Sequence, residues 1–205
     1  MGSREARNLS PRCEEIVVGT ILGDGCLERN GRNVRLRIDH SVNQKGFVDW
    51  KFHELQELQE LNPSNPRLVE RVDSRTRRLH VNYRFSTETT SALNKYFTMF
   101  YGNQGCKDIP SSVGTVLTTV LSLAVWYMDD GGRRGDCKSG YLNTNAYSVR
   151  DVESLKECLF ERFGVATATH FAAGKPRIYI PKSQFAMFCD LIRPYVIDEM
   201  RYKLL

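Results

Sequence analysis

The feature that most constrains this chain is an apolar run that ends in acid, and it occurs twice. Residues 16–27 read IVVGTILGDGCL and residues 121–132 read LSLAVWYMDDGG. A run of this kind suits a helix buried on all sides. A carboxylate at the end of such a helix is costly unless something compensates its charge. The equivalent acids, Asp24 and Asp130, lie 106 residues apart. That is the spacing of a domain-sized unit, not of a solenoid array.

The segments between follow one order in both halves. Pro11 behind Ser10 suits a first helical position, and the helix over 11–24 is stopped by Gly25. RNVRLRIDHS (32–41) alternates, with Val34, Leu36 and Ile38 on one side and Arg35, Arg37 and Asp39 on the other. That pattern predicts a half-buried strand. An amphipathic helix over 45–61, stopped at Asn62-Pro63, carries Phe47, Trp50, Leu55 and Leu58 as a core stripe. A strand is expected at 67–72 and another at 78–85, where Leu79, Val81, Tyr83 and Phe85 oppose Arg78, His80, Asn82 and Arg84. A helix over 88–101 closes the half.

The second half begins with a helix ending at Asp129-Asp130-Gly131, inside which Trp126 and Tyr127 should pack, followed by a strand at 140–147. A capping box at Ser148-x-x-Asp151 opens a helix that stops near Gly164. Strands at 166–171 and 176–181 and a helix over 182–192 complete it. With one further strand per half supplied by the parallel, both halves are αββαββα in outline. The expected fold is α+β: two tandem units, 11–105 and 106–205, fused tail to head and related by a pseudo-dyad. Such an arrangement suits a roughly symmetric, two-sided target.

Composition excludes more than it selects. Of 205 residues, 41% are hydrophobic and 26% charged, as in a soluble globular protein. The longest apolar stretch, 116–128, is broken by Thr and Ser and is too short for a membrane span. No signal-like apolar core follows the polar arm MGSREARNLS, whose first few residues are set aside from the fold. A net charge of +5 permits a polyanionic partner without requiring one. The six cysteines form no C-x-x-C pair, so reduced, mostly buried thiols in an intracellular compartment are expected. His40, His53, His80 and His170 are dispersed, which gives no support to a histidine-metal nuclease.

VVGTILGDG (17–25) and LAVWYMDDG (123–131) both resemble the LAGLIDADG motif of homing endonucleases, with its acidic eighth position on Asp24 and Asp130. The second half further resembles the single-chain, intron-encoded branch through CKDIPSSV, WYMDDGG, YLNTNAYS, KPRIYIP and MRYKL. The similarity covers residues 11–205. The sequence departs from the motif at two places: its third-position glycine is Gly19 and then Val125, and its small seventh position is Gly23 and then Asp129. Helix packing at the dyad should therefore be asymmetric. Asp129, unexplained by the motif, is expected to face solvent or to support the site.

The resemblance implies motif helices at the interface and saddle-shaped antiparallel sheets lying on double-stranded DNA. It also implies a monomer that cuts both strands of a long target. A maturase acting on intron RNA, or a catalytically silent DNA-binding protein of the same fold, is the alternative. Intron-encoded relatives point to a mitochondrion or chloroplast. Lys107 and Lys203, 96 residues apart, match basic residues near the family's active centre and are expected to be catalytic.

Phosphodiester hydrolysis uses a metal to neutralise phosphate charge and to lower the pKa of an attacking water. Mg²⁺, or another divalent cation such as Mn²⁺, takes carboxylate oxygens. If the motif helices pack in parallel, Asp24 and Asp130 meet at their C-terminal ends, where the helix dipoles add negative potential. Both are expected to be catalytic metal ligands. For one copy, an exposed helix cap is the commoner use of Asp-Gly; two copies at domain spacing reverse that preference. The polar strand faces offer Arg35, Arg37, Asp39, Arg78, His80, Asn82, Arg84, Asn143, Asn145, Lys175, Arg177 and Tyr179 to DNA. Arg suits guanine, Asn adenine and Asp cytosine in the major groove. A solvated face is the usual reading of such alternation, but richness in Arg and Asn favours nucleic acid.

Overall fold

The computed structural model describes residues 8–59, 65–102 and 105–205. The stop expected at Asn62-Pro63 lies outside them, as does most of the N-terminal arm.

Each half begins with its apolar helix. Helix α1 (Pro11–Leu22) is capped by Ser10, whose Oγ accepts from the Cys13 amide, and residues 16–22 are all buried. It stops at Gly23 rather than at Gly25, and the chain folds back so that the Gly25 amide donates to the Thr20 carbonyl at 2.8 Å. Strands β1 (Cys26–Asn30) and β2 (Asn33–Ser41) then form a hairpin. Helix α2 (Lys45–Glu54) follows, then β3 (Arg67–Val72), β4 (Leu79–Ser86) and α3 (Asn94–Tyr101). In the second half, α4 (Val120–Asp130) leads into β5 (Gly131–Arg133), β6 (Gly140–Leu142), α5 (Val149–Phe163), β7 (Ala168–Ala172), β8 (Lys175–Ile180) and α6 (Lys182–Ile192). The sheets have orders β1-β2-β4-β3 and β5-β6-β8-β7, antiparallel throughout. The same order twice is the duplication expected from the sequence.

The strands left unlocated by alternation are β1 and β5, each directly after its motif helix. Both are short, and in β1 only Leu27 is buried. The turn between β1 and β2 is Gly31-Arg32, with Gly31 at φ +65°, where glycine at the first central position of a two-residue hairpin loop meets no steric cost. The strand expected over 140–147 ends at Leu142, because the chain turns there: the Thr144 amide donates to Leu142 O and the Tyr147 amide to Thr144 O. The helix expected from residue 88 begins at Asn94, since Thr90 stays extended and bridges Val34. The helix expected over 45–61 ends at Glu54 and passes into a 3-10 turn, Gln56–Leu58. Its stripe holds: Phe47, Leu55 and Leu58 are buried and Trp50 packs partly against them.

Helices lie on one side of each sheet. The buried side carries Val34, Leu36, Ile38 and Phe85 in the first half and Leu142, Ile178 and Ile180 in the second. Each such side chain removed from water contributes about 1.5–3 kcal/mol. Phe52 of α2 meets Phe85 edge-on, but Leu79, expected on the same buried side, is 57% exposed. It sits at the far end of the β3–β4 hairpin with Val72, its cross-strand partner, which is exposed too.

Helices α1 and α4 pack against each other and join the halves. Ser122 Oγ donates to the Glu15 carbonyl, a Cβ at Gly19 would fall 2.4 Å from the Ser122 carbonyl oxygen, and one at Gly23 would fall 2.4 Å from Asp129 Cβ. Contacts advance along both helices together, so the two run parallel. Only glycine permits this approach, and Val125 fills the space beside Gly19. Trp126 and Tyr127 are fully buried, as expected. Among the described residues, no helix is long and apolar enough to cross a membrane.

Candidate active site and nucleic-acid interface

The parallel pairing carries both C-terminal helix ends to one place. Asp24 follows the cap of α1 and is half exposed; Asp130 is the last residue of α4. Burial, then the charges of Asp24 and Asp129, pushes the Asp130 carboxyl up to about 8. Burial makes the charge of this carboxylate costly, and a cation bound beside it would offset that cost.

The two lysines occupy matching positions. Lys107 Nζ donates to the carbonyls of Ile21 (2.7 Å), Gly23 (2.6 Å) and Gly25 (3.1 Å) at the end of α1. Lys203 Nζ donates to Met128 (2.6 Å) and Asp129 (3.0 Å) at the end of α4. Each supplies positive charge where the helix dipole and the carboxylates are negative. Burial lowers both pKa values, and the surrounding aspartates oppose the shift. Two further groups secure the helix ends: the Tyr147 hydroxyl donates to Leu22 O, and the Asn143 amide side chain donates to Asp130 O at 2.9 Å.

Asp129 takes the second of its two expected places, beside the site. It does not face solvent: its side chain is fully buried, and its two oxygens accept from Lys51 Nζ at 2.7 and 2.9 Å. Lys51, on α2 of the first half, is itself fully buried. Burial pushes the Asp129 carboxyl upward, and Lys51 is the largest opposing charge. Beside the pair stands His40, buried on β2, with Nε2 3.3 Å from Asp129 Oδ1 and Nδ1 3.6 Å from Asp24 Oδ2. Burial and then Lys51 push His40 down to about 4, so the imidazole is neutral near pH 7.

Donor atoms of Asp24, His40 and Asp129 lie within 4.8 Å of one another. The histidines dispersed in sequence thus contribute one member to the centre. His40 Nε2 is buried without a hydrogen bond. With carboxylate oxygens from Asp24 and Asp129 and an unbonded imidazole nitrogen, these residues fit a divalent cation. Lys51 was read from the sequence as one position of an amphipathic helix. The signal that could have found it was Asp129, a charge inside an apolar run that needs a buried partner.

The expected DNA-reading residues divide. On the open face of the first sheet, cross-strand register aligns Arg35 and Arg37 with Glu28 and Cys26, Asp39 with Arg84, and His80 with Arg71. Glu28 pairs with both Arg35 (2.8 Å) and Arg37, and Asp39 accepts from Asn82 Nδ2 at 2.8 Å. Arg78 lies outside β4, in the turn before it. On the second sheet, Lys175, Arg177 and Tyr179 alternate with buried Ile178 and Ile180, so they share the open face. Asn143 and Asn145 do not; β6 has ended, and they belong to the turn that braces α4. Tyr141 and His170, which the sequence did not single out, join Arg177 and Tyr179.

A duplicated α+β unit with carboxylates at the ends of two interface helices, and an open sheet face in each half, is the architecture of a homing endonuclease. The chain belongs to the LAGLIDADG DNA endonuclease family, whose model matches residues 14–188. It is 32% identical over 202 residues to the "Probable intron-encoded endonuclease 1" of Wickerhamomyces canadensis, covering 96% of this chain and 85% of that one. The structure of "The homing endonuclease I-WcaI bound to its DNA recognition sequence" matches with a TM-score of 0.88 and 31% identity, covering 97% of this chain and 88% of the other. A "Cytochrome b mRNA maturase bI2" of Saccharomyces cerevisiae is 27% identical over 204 residues, which span 92% of this chain and 46% of the maturase.

Proposed function

We propose that the chain binds a long, pseudo-symmetric DNA duplex along its two open sheet faces and hydrolyses one phosphodiester bond in each strand at the dyad. The observation that carries this reading is the convergence of Asp24 and Asp130 at the ends of two parallel helices, with the Asp130 carboxyl pushed up to about 8 by burial and then by the neighbouring carboxylates. Asp24 and Asp130 would hold the divalent cation, Mg²⁺ or Mn²⁺, with His40 and Asp129 beside them. When bound, the cation supplies charge neutralisation at the phosphate and a more acidic water.

The chain's own groups do the rest. Lys107 and Lys203 set the helix ends and lower the cost of gathering carboxylates there, close enough to the dyad to stabilise charge developing on a cleaved phosphate. Arg35, Arg37, Asn82, Arg84, Lys175 and Arg177 supply base-edge and phosphate donors. With both halves in one chain, the protein acts as a monomer. Its relatives' intron-borne genes suggest an organelle as its home.

The test is selection from a randomised duplex library in Mg²⁺, sequencing the new ends, with Asp24→Asn and Asp130→Asn alongside. Ends recurring at one long motif, and missing from both variants, are the expected result. A motif that is bound and never cut would refute the nuclease reading. The similarity to the cytochrome b maturase favours intron RNA as a second substrate, to be tested on that same uncut outcome.

A further inference from the structure

The open faces of the two sheets are chemically unlike. The first presents charges that pair within the face: Glu28 with Arg35 and Arg37, and Asp39 with Asn82. The second presents a cluster of rings. His170 stacks on Tyr179 with centroids 4.1 Å apart and planes 14° apart, Tyr141 lies 5.2 Å from Tyr179, and the Arg177 guanidinium sits 3.6 Å over Tyr141. Ladder register places the four on one side, Tyr141 opposite Tyr179 and His170 opposite Arg177. The Arg134 guanidinium holds the Tyr141 hydroxyl at 3.2 Å. All four are half-buried and brace one another through these contacts, which favours a preorganised surface.

We propose that Tyr141, His170 and Tyr179 are specificity-determining residues that read thymine C5-methyl groups in the half-site facing the second sheet. This rests on the DNA-cleaving reading above. The thymine methyl is the apolar group that the major groove offers, and the ring carbons of Tyr141, His170 and Tyr179 are the apolar atoms this sheet face can set against it. Ring faces turned toward one another leave less room for a base to stack, which disfavours the cluster as a platform for single-stranded RNA. Among the described residues the first face holds no such cluster of rings, and its paired charges suit hydrogen-bonding edges instead.

The experiment uses the full chain and its selected duplex, with each thymine replaced singly by deoxyuridine, which removes only the methyl. Affinity is measured in Ca²⁺, without cleavage. Binding should weaken about fourfold per contacted methyl, at positions confined to one half-site, and Tyr179→Ala or His170→Ala should abolish that sensitivity. Deoxyuridine that costs nothing anywhere, that costs equally in both half-sites, or that costs the same in both variants would overturn the proposal. The unmodified comparison needs no altered protein, so a variant that fails to fold leaves the half-site result decisive. Loss of RNA binding in the variants with no deoxyuridine effect would assign the cluster to RNA. Failure of the wild type to select any duplex would instead overturn the DNA reading itself.

Discussion

Replacing Lys51 by Met should be among the most destabilising single changes to this protein. Lys51 and Asp129 are both fully buried and joined at 2.7 and 2.9 Å. Removing the ammonium leaves a carboxylate with no cation in contact, beside a neutral imidazole. Breaking a buried pair this way costs about 3–5 kcal/mol, whereas removing both charges costs far less. At a urea m-value of about 3 kcal/mol/M, the midpoint should fall by about 1–1.7 M. Asp129→Asn alone should also be costly, since it strands Lys51. The double variant should recover at least about 2 kcal/mol of the summed losses, which a double-mutant cycle in urea would read directly.

The pH dependence has a definite sign. Burial raises the folded-state pKa of Asp129, and in Lys51→Met the largest opposing charge is gone. The folded state then binds the proton more tightly than the unfolded state. The variant's deficit is therefore smallest in acid and grows as pH rises from the unfolded value of about 3.8 through the raised folded value. A midpoint shift below about 0.3 M, or a deficit that shrinks with rising pH, would refute the buried-pair reasoning.

Asp24→Asn and Asp130→Asn should each lower the cleavage rate by about 1,000-fold or more, with duplex affinity retained in Ca²⁺, as gel-shift and single-turnover assays would show. Because burial and then the neighbouring carboxylates push the Asp130 carboxyl up to about 8, a cation must displace its proton. Calorimetric Mn²⁺ affinity should therefore rise about tenfold per pH unit from 6 to 8 and level off above. Gly19→Val would drive a side chain into the Ser122 carbonyl and Val125 Cβ, at 2.4 and 2.7 Å from its Cβ. It should cost about 3 kcal/mol, lowering Tm on the order of 10 °C in a thermal melt.

The duplication, the motif helices and the long strands were legible because each leaves a local mark. Apolar runs, period-two alternation in β2 and β4, and the Ser148 capping box are properties of adjacent residues. β1 and β5 left almost none, since a short strand is held by its partner rather than by its own pattern. Asn143 and Asn145 were misplaced for a related reason: their alternation continues the strand, but the backbone turns after Leu142 to brace α4. The centre divides in the same way. Asp24 and Asp130 could be paired from the repeat. Lys51, 78 residues from Asp129, and His40 are brought there by packing between the halves, which no local pattern encodes.

The Lys51–Asp129 pair also bears on whether the halves can be recombined. Lys203 serves the motif helix of its own half, and Lys107, just past the boundary at 105, serves that of the first, so on that count a half could be transplanted if the cut fell after Lys107. The buried pair instead crosses between them, and Gly23 vacates the space that Asp129 fills. Two copies of the second half, set face to face, would bring one Asp129 into the other at the crossing and bury both carboxylates without Lys51. Chimeras that keep the first half should accordingly require an acid at position 129 of a foreign second half, because a small residue there strands Lys51. They should reject a duplicated second half, which makes the fusion of these two halves difficult to undo.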